Sequence, residues 1–162
     1  MDFLIAARLE FAPEVTATAL PIVVLRLLAA AVLGGIVGFE RELHARNAGL
    51  RTHMLISVAA CLFALVGLEL MAIAEAAGDE AKADPLRLIE AVTAGVAFLV
   101  AGSIISSGGR VQGLTTGAGM WLSGATGLAC GTGHLALATV SSALGVVILW
   151  CFRPVSDRIG GK

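Results

Sequence analysis

The stretch GFERELHARNAGLRTHM, from Gly38 to Met54, sets Glu40, Arg41, Glu42, Arg46 and Arg51, together with His44 and His53, between two long apolar runs. Only 14% of the residues in the chain are charged. Ionisable groups crowded between apolar flanks are costly in lipid and mark functional or paired sites. The segment therefore reads as the cytoplasmic edge of a membrane-embedded site, with GFERE closing one helix and AGLRTH opening the next.

The composition around it agrees. Of the 162 residues, 57% are hydrophobic, 20 are glycine and none is tyrosine, and the mean hydropathy is +0.91. A soluble domain of this size needs a polar surface that such a composition cannot supply, so the bilayer must act as solvent for much of the chain. The formal net charge of −1 and the lack of an aromatic-basic surface exclude a nucleic-acid partner. Cys61, Cys130 and Cys151 stand singly in apolar runs without ligand spacing and read as small hydrophobes.

Working outward, five spans are expected. Leu20 to Phe39 is the first, broken by Arg26, with Ala30, Gly34 and Gly38 at four-residue spacing for close approach of a neighbouring helix. Met54 to Ile73 is the second, broken by Glu69, and the acidic exit EAAGDEAKADP places Pro85 at the start of another helix. Ala91 to Gly109 is the third, carrying small residues at Ala91, Gly95, Gly102, Ser106 and Gly109 that suggest packing. Val111 to Phe152 is long enough for two more, turning at Gly131 to His134. In the fourth span Gly113, Gly117, Met120, Gly124, Gly127 and Gly131 alternate steps of four and three, which predicts one glycine face and a central helix. The fifth ends at Trp150 and Arg153, an interfacial anchor.

The expected fold is thus an all-α membrane protein, five transmembrane helices in a compact glycine-rich bundle. Residues 1–19 form an N-terminal interfacial segment, without the basic start of a signal peptide and so without cleavage. Residues 20–153 form the membrane domain and 154–162 a short cytoplasmic tail. Arg41, Arg46, Arg51, Arg110, Arg153, Arg158 and Lys162 fall on one side, against Arg8, Arg26, Lys82 and Arg87 on the other. That bias puts the N-terminus outside and the C-terminus in the cytoplasm.

This topology brings four helix ends to one face: Glu40, Arg41 and Glu42; Arg51, Thr52 and His53; Ser103, Ser106 and Ser107; and Gly113, Thr115 and Thr116. Two of them are helix N-termini, which favour anions, and either Glu40 or Glu42 from within the protein or a bound phosphate could satisfy them. Two carboxylates against four arginines, Arg41, Arg46, Arg51 and Arg110, do not make a Mg²⁺ cage, so no metal site is assigned. The cluster is either a ligand-binding site or an internal ion-pair network; Arg46, His44 and Arg110 read as interfacial anchors. Arg26 needs a partner inside the membrane, for which Glu90 and Glu69 are the candidates, all three having a structural role. His134 reads as a turn residue.

These residues resemble the membrane domain of the MgtC/SapB family. The likeness rests on RLLAAAVLGGIVGFERE from Arg26 to Glu42, AGLRTHML from Ala48 to Leu55, DPLRL from Asp84 to Leu88, GVAFLVAGSII from Gly95 to Ile105 and VQGLTTGAGMWLSGATGLACGTG from Val111 to Gly133. Where the family has Gly-Phe-Leu-Gly-Ala-Gly, this chain reads Ala97 to Gly102 as AFLVAG, and Ala91 replaces a preceding Gln. Many members carry a soluble domain after the fifth span; with the chain ending at Lys162, none is expected here. The resemblance implies a multi-pass protein of the bacterial inner membrane linked to magnesium homeostasis, to virulence in some pathogens, and to membrane energetics through inhibition of the rotary ATP synthase.

Two functions follow. One is a helical regulator whose glycine face or cytoplasmic rim binds another membrane complex or a second copy in a homodimer or larger homo-oligomer. The other is a transporter or ligand-binding protein in which Glu40, Arg51, His53 and Thr116 line a site for an ion, a proton or a lipid head group. No nucleophile–base pair, metal spacing or phosphate loop is present, so neither an enzyme nor a cofactor is expected.

Overall fold

The computed structural model describes residues 18–78, 84–107 and 110–152. The N-terminal interfacial segment up to residue 17 and the tail from Arg153 lie outside the described residues. Five helices account for most of the rest: α1 (Leu20–Leu43), α2 (Leu50–Ala76), α3 (Pro85–Ser103), α4 (Leu114–Gly131) and α5 (Leu135–Cys151).

Each helix ends for a local reason. α1 starts with Pro21 in its first turn, where a missing amide costs nothing. It runs one turn beyond Phe39, so that Glu40, Arg41 and Glu42 are inside the helix rather than in the loop after it. It closes with the Ala45 amide on the Glu42 carbonyl at 3.0 Å and the Arg46 amide on the Arg41 carbonyl at 3.2 Å, with Ala45 left-handed at φ 49°. That is a Schellman closure with alanine where glycine is usual. α2 opens with no acid of its own in the first turn; the Leu50 amide donates instead to Oε2 of Glu42, 3.0 Å away on α1. α3 opens on Asp84, whose side chain accepts from the Leu86 amide at 3.0 Å, followed by Pro85.

The third helix is shorter than its apolar run suggests. It stops at Ser103 instead of reaching Gly109, and an antiparallel pair follows, β1 (Ile105–Ser107) and β2 (Arg110–Gln112), with Ser106 opposite Val111. The signal in the sequence is Gly108-Gly109 between Ile105 and Val111, a dipeptide suited to a tight hairpin. Ser106, in β1, therefore does not extend a helical stripe, and Gly109 lies outside the described residues. Gly113, at φ 90°, turns the chain into α4 with its backbone against the Ser103 carbonyl at the end of α3.

α4 is central, packing against each of the other four helices. Its glycines, expected on a single face, serve two. A Cβ on Gly117 would lie 2.7 Å from Val100, and one on Gly124 2.8 Å from Val96, both on α3. Gly127 and Gly131 face α2, where a Cβ would overlap the Ser57 carbonyl and lie 2.5 Å from the Cys61 carbonyl. Gly34 and Gly38 on α1 also admit α2: added Cβ atoms would lie 2.8 Å from the His53 carbonyl and 2.8 Å from the His53 Cβ. Small residues let these backbones meet where no hydrophobic drive exists between lipid-exposed helices. Gly95 and Gly102 on α3 have no such neighbour, and their expected packing is not made among the described residues.

One apolar cluster joins Ala30, Leu33, Cys61, Leu65, Cys130 and Ala138; a second joins Ile56, Ala60, Val92, Val96 and Met120. The outer faces are greasier than the interior: Phe98 is 81% exposed and Trp150, Leu55 and Leu28 are also exposed. Such a surface suits lipid as solvent. α1, α2 and α3 are long and apolar enough to cross a membrane; α5 is apolar but shorter, at 17 residues.

Candidate functional site

Antiparallel packing places the C-terminal ends of α1 and α3 beside the N-terminal ends of α2 and α4. The result is a buried polar cluster at this end of the bundle. Its base is the adjacent pair Glu40 and Arg41, exposed by only 6% and 4%, with the guanidinium bonded to Oε2 of Glu40. Burial of either charge alone would be expensive; together they form a neutral unit.

Beside the pair sits His44. Its Nδ1 lies 2.8 Å from the Glu40 carbonyl and 3.0 Å from Glu40 Oε1. Only the contact to the carbonyl has hydrogen-bond geometry, so Oε1, although shielded from solvent, has no hydrogen-bond partner among the described residues. His53 is fully buried on the first turn of α2. Its Nδ1 bonds the Gly49 carbonyl at 2.8 Å, and its Nε2 has no partner and faces Gly119, where a Cβ would lie 3.0 Å away. Thr116 is buried on the same end of α4.

Other residues singled out from the sequence are placed differently. Glu42 caps α2, which makes it a structural carboxylate. Arg51 and Thr115 are exposed, and Thr52 is half-buried. Ser103 is half-buried and bonds the Val100 carbonyl of its own helix at 2.8 Å. Ser106, Ser107 and Arg110 belong to the hairpin strands. Among the described residues, no three His, Cys, Asp or Glu side chains come together as a metal-holding group.

Arg26 sits at the far end of the bundle. The bond it makes runs to a backbone carbonyl, Nη1 to Gly131 O at 2.8 Å, rather than to Glu90, which is exposed. The guanidinium thus meets the unpaired carbonyls and negative dipole end of α4. Glu69 is half-buried on α2. His134 accompanies the turn after α4, with Nδ1 3.0 Å from Thr132 Oγ1.

Sequence reasoning missed four interior hydroxyls. Ser57 and Ser123 are fully buried with no partner for their Oγ atoms, and Thr126 pairs with Ser142 at 3.3 Å between α4 and α5. Ser57 lies one turn along α2 from His53, and Ser123 lies midway between Gly119 and Gly127 on α4. The i, i+4 spacing to a buried histidine was a usable signal for Ser57. His44 and Gly119 were likewise underrated, because only the three-dimensional arrangement brings them to Glu40 and His53.

A groove opens beside this cluster between α1, α2 and α5. Its volume is about 700 Å³, its walls include Val32, Ile36, Phe39, Met54, Val146 and Trp150, and Glu40 and His44 stand at its head.

The profile of the MgtC family matches residues 27–158. The chain is 34% identical over 143 residues to the Escherichia coli (strain K12) protein named "Putative magnesium transporter YhiD", covering 86% of this chain and 64% of that protein. It is 36% identical over 129 residues to Protein MgtC of Brucella abortus (strain 2308), covering 80% of this chain and 50% of that one. An uncharacterized protein of Synechocystis is 36% identical over 135 residues, covering 83% and 54%. The chain thus spans between half and two thirds of the length of these relatives. No solved structure matches it.

Proposed function

The chain belongs to the MgtC family, and from that membership and the chemistry of the buried cluster we propose a magnesium-linked regulator of the bacterial inner membrane. In this reading all five helices span the membrane, the N-terminus is outside, and the Glu40 end of the bundle faces the cytoplasm. The protein acts through helix–helix contacts and is not an enzyme. Its partners are a second copy or another membrane complex, and the family resemblance suggests the rotary ATP synthase.

The observation that carries this reading is the Glu40–Arg41 pair. A hard divalent cation needs several oxygen ligands and usually more than one free acid. Here the buried carboxylate is already neutralised by a guanidinium, which supports sensing or contact over Mg²⁺ conduction. The open face of α3 is consistent with a partner helix, since a Cβ at Gly95 or Gly102 would meet nothing among the described residues. The deciding experiment pairs Mg²⁺ flux into proteoliposomes with growth at low Mg²⁺. We expect no flux, and a growth defect when Gly95→Leu and Gly102→Leu block the α3 face. Flux that is lost in Glu40→Gln would overturn the reading.

A second reading is favoured by one specific feature: Oε1 of Glu40, 3.0 Å from His44 Nδ1, and Nε2 of His53 are buried at the same end of the bundle without a hydrogen-bond partner among the described residues. Buried polar atoms of this kind are rare in proteins and call for a ligand, water or ion. In this reading the cluster is a binding site for an ion, a proton or a lipid head group.

A further inference from the structure

We propose that Nε2 of His53 and the hydroxyls of Ser57 and Ser123 together hold one buried water molecule, which donates a hydrogen to the imidazole. The inference rests on the second reading above and narrows its proton alternative, since such a water is what would carry a proton to His53.

Position is the first argument. His53, Ser57 and Ser123 are each fully buried, and each has one side-chain atom without a hydrogen-bond partner among the described residues. Ser57 follows His53 by one turn of α2, and a Cβ on Gly34 of α1 would lie 3.1 Å from its Oγ. Ser123 follows Gly119 by one turn of α4, and a Cβ on Gly119 would lie 3.0 Å from Nε2 of His53. One turn further on, a Cβ on Gly127 would lie 2.8 Å from the Cα of Ser57. Ser123 thus stands between the two α2 residues, where α1, α2 and α4 all pack on one another. Cα–Cβ bonds tilt towards the helix N-terminus, so both hydroxyls lean back towards the level of His53. One helical turn is about 5.4 Å, too long for a direct hydrogen bond and close to two bonds of about 2.8 Å through a single water.

Chemistry is the second. Nδ1 of His53 lies 2.8 Å from the Gly49 carbonyl, which can only accept, so Nδ1 carries the hydrogen and Nε2 of the neutral ring presents a lone pair. That lone pair needs a donor. A water supplies one and keeps a hydrogen and an oxygen for the two hydroxyls, making about three bonds, the usual number for a buried water. A cation would find a ring nitrogen and two hydroxyls but no free carboxylate, because Glu40 is paired with Arg41. A lipid has no way in, since the groove between α1, α2 and α5 is lined by none of the three residues. The close approach of the helices at Gly34, Gly119 and Gly127 leaves room for solvent-sized occupants only.

The test uses the full chain in lipid bilayers, labelled at histidine and valine and read by solid-state NMR with magnetisation transferred from water. His53 should show a hydrogen on Nδ1 and none on Nε2. Water should reach its ring about as fast as it reaches the exposed His134, and much faster than it reaches the buried Val37. Ser57→Ala and Ser123→Ala each remove one anchor without adding bulk, and each should slow the transfer to His53 by roughly threefold or more, the scale of one hydrogen bond. Transfer to His53 as slow as to Val37 overturns the proposal, as does a neutral ring with its hydrogen on Nε2, or transfer unchanged by both serine substitutions. Repeating the spectra with magnesium chloride and with potassium chloride separates this failure from that of the second reading. A dry His53 whose resonances move with either salt removes the water and leaves the cluster an ion site; a dry His53 that does not move removes the water and the ion alike.

Discussion

Nη1 of Arg26, on the second turn of α1, holds the carbonyl of Gly131 at 2.8 Å, 105 residues further on at the end of α4. One side chain thus ties the first helix to the central one. Gly133, left-handed at φ 85°, brings the chain past the guanidinium so closely that a Cβ there would lie 2.7 Å from it. Arg26→Met keeps the apolar stem and removes the charged donor. A hydrogen bond to a charged group contributes about 1.5–3 kcal/mol, so a loss of that size is expected in unfolding measured by circular dichroism in detergent. Arg26→Lys should recover part of it.

The two kinds of glycine in this chain should separate cleanly on substitution. At Gly127 a Cβ would lie 2.7 Å from the carbonyl carbon of Ser57, backbone that cannot swing aside. Gly127→Ala should therefore cost about 1–3 kcal/mol, the range for overpacking, or prevent folding altogether. Gly95→Ala and Gly102→Ala meet open space and should be neutral or stabilising by up to about 1 kcal/mol through helix propensity. Melting temperatures of the three variants in one detergent would show whether the two groups differ in sign.

Ala45 occupies the left-handed position of the Schellman closure of α1 at φ 49°. The left-handed region costs a non-glycine residue roughly 1–2 kcal/mol, part of which glycine gives back through its freer unfolded chain. Ala45→Gly should raise stability by about 0.5–1 kcal/mol, read as a higher melting temperature with no change in helix content.

These outcomes show what was legible in the sequence and what was not. The apolar runs and the GFERE and AGLRTH helix ends announced α1 and α2, because charge in an apolar chain is a strong signal. The heptad spacing on α4 announced a central helix, but step size alone could not say which neighbour each glycine faces; Gly117 and Gly127 point to different helices. The end of α3 was missed because Ile104 and Ile105 read as continuous with the apolar run, whereas Ile105–Ser107 pairs as a strand with Arg110–Gln112. At the site, Glu40, Arg41 and His53 were visible as types. Their division of labour was not: that Glu42 would cap α2 and Arg51 lie outside depends on helix phase to within one residue.

Glu42 supplies α2 with the cap that its own sequence lacks, accepting from the Leu50 amide across the turn. Gly49 makes room for it, since a Cβ there would overlap the carboxylate. Glu42→Ala should lose about 0.5–2 kcal/mol, the usual cost of a missing N-cap acceptor. Glu42→Gln retains an acceptor and should lose less. Hydrogen exchange at Leu50 should rise in Glu42→Ala while that of Cys61, deep in the same helix, stays unchanged.

The Glu40–Arg41 pair allows the sharpest test, because theory assigns different signs to breaking it and to replacing it. Removing one member leaves the other buried and uncompensated, at a cost of about 3–5 kcal/mol. Replacing both with apolar residues of similar size removes both desolvation penalties and is often neutral or better. Glu40→Met and Arg41→Met should each destabilise strongly, and the double variant should be more stable than either. Additive losses would show that the two side chains are not coupled. The double variant also separates fold from function. If it folds as well as the native chain yet fails to support growth at low Mg²⁺, the pair serves the activity of the protein. If growth is retained, the pair is a device of packing.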